Sequence, residues 1–181
     1  MQLQRYRDIM ADVRHDGDFH SITHLVQPND LEVKEVAKVL HEAPNFITAC
    51  QEFVNSFTDY KKEVGDYWAT PAEIIERRAG DCDDKAILLV SLLRNYIEAE
   101  KVFCAFGYWS QNGSQDGHMW VVMEGEGEND RIIEATAGPT TGLRGNYKLE
   151  AIFNDVYAFA YPTGIKNFNL LPVAWKQPVE A

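Results

Sequence analysis

The run AILLVSLL, residues 86–93, is apolar on nearly every side and follows the acidic block GDCDD, residues 80–84, with only Lys85 between them. A helix that is apolar all round has to be surrounded, so this segment predicts a buried central helix with the rest of the chain packed about it. Cys82 stands in the first turn of that helix. Unpaired N–H groups and about half a positive charge collect there, and both favour a thiolate. Asp81, Asp83 and Asp84 push the other way, and only a neighbouring imidazolium would clearly outweigh them.

The remaining segments are read as the elements that enclose this helix. Asp30 opens LEVKEVAKVLHEA, whose apolar residues recur at helical spacing, which predicts a helix over about 30–42. Pro44 starts a second one, with Phe46, Ile47, Cys50, Phe53, Val54 and Phe57 forming an apolar stripe. In TPAEIIERRA, Thr70 is placed to cap, Pro71 to take the first helical position and Glu73 to close a capping box, with Gly80 as the terminator. The central helix is expected to run from 82 to about 99. Three antiparallel strands follow: KVFCAFGYWS, then HMWVVME after the polar loop QNGSQDG, then RIIEATA after the turn GEGEND. Further strands are expected over 147–161 and after Ile165. Helices first and a meander afterwards make an α+β pattern. With no repeat or linker, the chain reads as one domain over 1–181: a helical part to 65, a motif region over 66–138 and C-terminal strands over 139–181.

Chain geometry then brings three side chains to one end. The segment from 82 to 99 carries the chain about 25 Å as helix, and strand 101–109 brings it back roughly 30 Å. The loop at 110–117 is therefore expected near Cys82, with His118 at the start of the next strand. Centring the following turn near residue 127 sets residue 134 opposite residue 120. His118, Trp120 and Glu134 then share a face, with Glu134 diagonal to His118 at about 7–8 Å between backbones. A slip of one residue would turn Glu134 to the other face. Thiol, imidazole and carboxylate form the set that nucleophilic acyl transfer needs: attacker, proton carrier and the group that fixes the imidazole tautomer.

Composition narrows the partners. With 17 basic and 28 acidic side chains the net charge is −11, which repels nucleic acid and anionic membranes within about 8 Å in physiological salt. The opening MQLQRYRDIMADVRHDGDFH has no apolar signal core and no run is long enough to span a bilayer, so a soluble, cytoplasmic protein is expected. Cys50, Cys82 and Cys104 form no CxxC pair; Cys50 and Cys104 fit apolar stripes and read as structural. The cluster HDGDFHSITH has His15, His20 and His24 at spacings foreign to zinc fingers and zincin helices, and reads as an ordinary polar segment.

The stretches YWATPAEIIERRAGDCDDKAILLVSLLR, GHMWVVME and RIIEATAG resemble the transglutaminase-like superfamily, in particular its bacterial cysteine proteinases. The likeness covers about residues 66–138. It implies a papain-related α+β core, a buried helix opened by the cysteine and packed on an antiparallel sheet. Cys82 would be the nucleophile, His118 the base and Glu134 the acid, where the family usually carries aspartate. Trp68 and Trp120 are its oxyanion or substrate-binding candidates beside the Cys82 N–H. Some relatives bind calcium near the cysteine, which makes Asp81, Asp83 and Asp84 candidate ligands. Because calcium takes six to eight oxygens, the expectation remains that there is no cofactor. The implied activity is hydrolysis of a peptide or side-chain amide in a protein or peptide substrate through a thioester. The alternatives are a catalytically silent protein-binding module and a cross-linking transamidase.

Overall fold

The computed structural model describes residues 4–5, 10–15, 18–62, 67–124, 131–138 and 143–165. Two short strands, β1 (Gln4–Arg5) and β2 (Met10–His15), precede β3 (Asp18–Ser21), which pairs with β2. Asp16 and the turn expected over 125–130 lie outside the described residues, as does any strand after Ile165. Helix α1 (Leu31–Leu40) begins where Asp30 Oδ1 accepts the Glu32 and Val33 N–H groups at 2.9 and 3.1 Å. Helix α2 (Phe46–Phe57) is capped by the Asn45 side chain. Strand β4 (Asp59–Tyr60) follows, and α3 (Pro71–Arg77) carries the capping box read from Thr70 and Glu73.

Arg78, not Gly80, ends α3, taking the left-handed conformation at φ 52°. Gly80 has another task. In β5 (Ala79–Gly80) it pairs with Tyr60, and a Cβ added there would sit 2.6 Å from Asp84 Cβ. Only glycine lets the first turn of α4 (Cys82–Leu93) fold back onto its own entry strand. From Asp84 to Leu93 every residue of α4 is buried, as an all-round apolar helix requires. The helix stops earlier than expected. Beyond Leu93 the apolar coat is lost, and Arg94 turns to Asp155 at 2.6 Å and to the Ile97 carbonyl.

The sheet has six strands in the order β1-β10-β9-β6-β7-β8, with β6 (Val102–Gln111), β7 (Ser114–Met123), β8 (Arg131–Ile133), β9 (Asn146–Phe153) and β10 (Ala158–Ile165). The loop expected at 110–117 does not exist. Asn112 and Gly113, at φ 51° and 84°, make a two-residue turn, and the ladder runs unbroken from Gln111↔Ser114 to Val102↔Met123. Asn-Gly supplies the two positive φ values that match strand twist, which is why the polar run zips into a hairpin. His118 is therefore mid-strand, opposite Gly107, instead of at a strand start. The ladder ends at Val121↔Ile133, one residue short of Glu134, in the register that sets residue 134 level with residue 120 as read from the sequence.

Alternation on β7 divides the interior in two. Met119 and Val121 join the core around α4, while Trp120 and Val122 join Phe103, Tyr147, Leu149 and Phe159 on the far side of the sheet. Cys50 and Cys104 are buried packing residues, and all three cysteines are free thiols. Among the described residues no helix is long and apolar enough to cross a membrane.

Candidate active site

Glu134 lies one residue past β8, on a stretch without ladder bonds of its own. Helix α2 holds it. Gln51 Nε2 donates to the Glu134 carbonyl at 2.8 Å and to the Gly138 carbonyl at 3.1 Å, and Asn55 Nδ2 donates to the Ala137 carbonyl at 2.5 Å. These amides sit four residues apart on one helix face. Sequence reasoning missed both, and the available signal was a buried glutamine inside an apolar stripe.

The Glu134 carboxylate is wholly buried. His118 Nε2 meets its two oxygens at 3.0 and 3.1 Å, Thr136 Oγ1 donates to Oε1 at 3.1 Å, and the Tyr147 hydroxyl donates to Oε2 at 2.9 Å. His118 keeps 12% of its side chain exposed against none for Glu134, so the imidazole faces outward from a sealed anion. Its Nδ1 makes no hydrogen bond among the described residues. Trp120 stacks 6.1 Å from the imidazole and meets Tyr147 edge-on at 4.9 Å.

Cys82 sits at the mouth of α4. Its helix has no side-chain cap, since Asp81 as N-cap makes no such bond. Burial pushes the thiol up to about 12 and the Asp83 charge pushes the same way, while the Met119 backbone N–H bonds the sulfur and pulls it down. The sulfur is therefore against the peptide that joins His118 to Met119. Its S–H is directed to Asp83 Oδ1 at 3.8 Å, not to His118. The structure brings His118 and Glu134 together, while Cys82 meets the Met119 backbone and its thiol is engaged with an aspartate.

The acidic residues divide. Asp84 is fully buried and its Oδ1 accepts the Ala69 N–H at 2.7 Å, so it belongs to the framework. Asp81, Cys82 and Asp83 each offer a donor atom within 4.8 Å of the others. Asp81 Oδ1 is buried without a partner. Burial first, then a hydrogen bond donated to Asp81 and the charge of Asp81, raise the Asp83 carboxyl far above the carboxylate range. Such a pair shares one proton.

The expectation for Trp120 needs correction. Trp120 is wholly enclosed and has no surface to offer a substrate; its ring backs His118 and Tyr147. Trp68, 8% exposed, stacks on Phe153 at 5.9 Å and tilts against Phe106 at 5.7 Å, so most of its ring is core packing. The exposed aromatic beside Cys82 is Tyr60. Strand pairing sets it against Gly80, the Lys61 N–H binds the Gly80 carbonyl at 3.1 Å, and the phenol, 56% exposed, is raised by burial and then by the charges of Cys82, Asp81 and Asp83. Nothing in its local sequence marks it, because its place comes from a two-residue parallel pairing.

Comparison with known proteins agrees with this architecture. The CEP76 peptidase-like domain family matches residues 66–160, just over half of the 181. Calcium-bound LapG of Legionella pneumophila is similar in structure at 20% identity and TM-score 0.53, over 80% of this chain and 83% of that one. LapG treated with EGTA is similar at 18% identity and TM-score 0.52, over 72% of this chain and 86% of that one. A candidate cysteine protease from Cytophaga hutchinsonii is similar at 22% identity and TM-score 0.52, over 64% of this chain and 39% of that one. These likenesses show the transglutaminase-like cysteine-peptidase fold. A comparison with curated proteins gives no match.

Proposed function

The chain belongs to the CEP76 peptidase-like domain family, and from that premise we propose that it is a thiol hydrolase of peptide or side-chain amides. The observation that carries the reading is the imidazole of His118, held at Nε2 by a sealed carboxylate with Nδ1 left unengaged, on the residue before Met119, whose backbone N–H meets the Cys82 sulfur. In this reaction the thiol proton passes to His118 Nδ1 as sulfur attacks the amide carbonyl carbon. In this reading the Cys82 N–H donates to the negative oxygen that develops, and the Tyr60 hydroxyl is the candidate second donor. His118 then gives the proton to the leaving amine as the C–N bond breaks, leaving a thioester on Cys82. Water attacks the thioester, giving its proton to His118, and the acid product leaves as the thiol re-forms. Glu134 accepts the hydrogen bond of the Nε2–H throughout and keeps the ring oriented.

Calcium fits Asp81 and Asp83 better than the sequence alone suggested, because one Asp81 carboxylate oxygen is buried without a partner and burial, together with the Asp81 charge, raises the neighbouring Asp83 carboxyl. Bound there, the cation would supply the positive charge that stops the aspartates from opposing a thiolate. Asp81 and Asp83 would hold it, and Cys82 would then be released from Asp83.

The test is a complex peptide mixture incubated with the full chain and calcium, with new termini read by mass spectrometry. New termini that vanish in Cys82→Ala support the proposal. An unchanged mixture, or cleavage that survives Cys82→Ala, overturns it in favour of the silent binding module. Incorporation of a fluorescent primary amine at the same sites would instead mark a transamidase.

A further inference from the structure

Resting on the reading of His118 and Glu134 above, we propose that Tyr147 is a positioning residue that holds the Glu134 carboxylate in place through its hydroxyl. The geometry is unusual for a tyrosine two strands away. Tyr147 lies on β9, which pairs with β6 and not with β7 or β8, yet its side chain crosses the far face of the sheet to reach Glu134 Oε2 at 2.9 Å. It is 7% exposed and wedged against Trp120. The hydroxyl proton is committed to the carboxylate, because the oxygen already accepts the Leu143 N–H at 2.7 Å. A phenol that accepts at its oxygen has a single proton left to give, and here it goes to Oε2.

Around the buried anion stand His118 from β7, Tyr147 from β9 and Thr136 beside it, with the neutral Gln51 and Asn55 behind its backbone. No lysine or arginine among the described residues bonds the carboxylate. Hydroxyl donors therefore carry the stabilisation that a second cation would otherwise supply, and a hydrogen bond to an ionised form favours that form. Tyr147 also accounts for the glutamate. The side chain is one methylene longer than the aspartate usual in the family, about 1.5 Å, and such a side chain needs a lateral stop to keep its oxygens on Nε2.

The experiment measures the second-order rate of Cys82 alkylation by iodoacetamide, peptide by peptide, from pH 5 to 9 on the full chain. Tyr147→Phe is expected to slow labelling about tenfold at pH 7, the scale of one hydrogen bond to a charged group, and to move the acid limb of the profile upward by about one unit. On top of Glu134→Gln it is expected to do nothing more, because a residue acting through Glu134 has no second route. A wild-type profile in Tyr147→Phe, or a further full loss on Glu134→Gln, overturns the proposal. If Tyr147→Phe does not fold, 3,5-difluorotyrosine at position 147, a stronger donor of the same shape, is expected to move the acid limb downward, and an unmoved limb overturns it. His118→Ala is the control for the underlying reading: wild-type labelling there removes both, whereas slowed labelling with an indifferent Tyr147→Phe removes only this one.

Discussion

The two sides of the candidate site are built to opposite standards. On the sheet side, Glu134 has every oxygen engaged by His118, Thr136 and Tyr147, and its backbone is clamped by α2. On the helix side, Asp81 has a buried oxygen without a partner, Asp83 holds a proton that carboxylates normally lose, and the Cys82 thiol is pushed up to about 12. On the proposed function, the contrast means that proton transfer is organised in advance while the nucleophile is held back. Charge decides this: a fully bonded anion sits on one side, and a crowded pair of carboxylates beside a thiol sits on the other.

The largest way to break that comparison is at the satisfied side. Glu134→Gln keeps the shape but replaces an acceptor by a donor toward Nε2, so Cys82 alkylation is expected to fall a hundredfold or more, as loss of the correct imidazole tautomer does elsewhere. Next is calcium on the unsatisfied side. At a concentration a hundred times its Kd it is expected to stabilise the fold by about 2.7 kcal/mol, seen as a rise in Tm that Asp83→Asn removes. Binding is also expected to release a proton, detectable as a heat that depends on the buffer. Without calcium the folded Asp83 carboxyl binds a proton that the unfolded chain has already lost above the ordinary carboxylate range. Stability from this group therefore declines as pH rises, and calcium reverses the decline.

Gly80→Ala tests whether the crowding at the α4 mouth is built into the backbone. Its Cβ would meet Asp84 at 2.6 Å, which is expected to cost about 1–3 kcal/mol in a urea unfolding midpoint. The smallest effect belongs to a pair remote from both sides. Burial would raise Glu73, but Arg14 at 2.8 Å, the Thr70 N–H and the Tyr67 hydroxyl bring it down to about 2. Its stabilisation is present above pH 4.5 and is lost as pH falls toward 2, so Arg14→Met is expected to lower stability at pH 6 and leave it unchanged near pH 2.

Local chemistry was legible in the sequence and long-range chemistry was not. The apolar coat of 86–93, the Thr70-Pro71-Glu73 start and the β7–β8 register all depend on near neighbours or on period-2 alternation, and the structure has each of them, with Val121↔Ile133 as the last pair before Glu134. The hairpin at Asn112-Gly113 was written in the sequence as well, and only its polar flanks made it look like a loop. Tyr147, Gln51, Asn55 and Tyr60 were invisible for another reason. Each reaches the site from an element whose position is set by the whole sheet or by α2 packing, and no spacing rule links residue 51 or 147 to residue 134. The two tryptophans show the converse, since proximity in sequence to the motif placed Trp68 and Trp120 near the chemistry but inside the packing.

The central claim is that the His118 imidazole activates the Cys82 sulfur, and alkylation reads it most directly. In the wild-type chain with calcium at pH 7, iodoacetamide is expected to modify Cys82 far faster than the buried Cys50 and Cys104, and His118→Ala is expected to slow Cys82 by at least tenfold while leaving the other two alone. Equal labelling of Cys82 with and without the histidine would contradict the account.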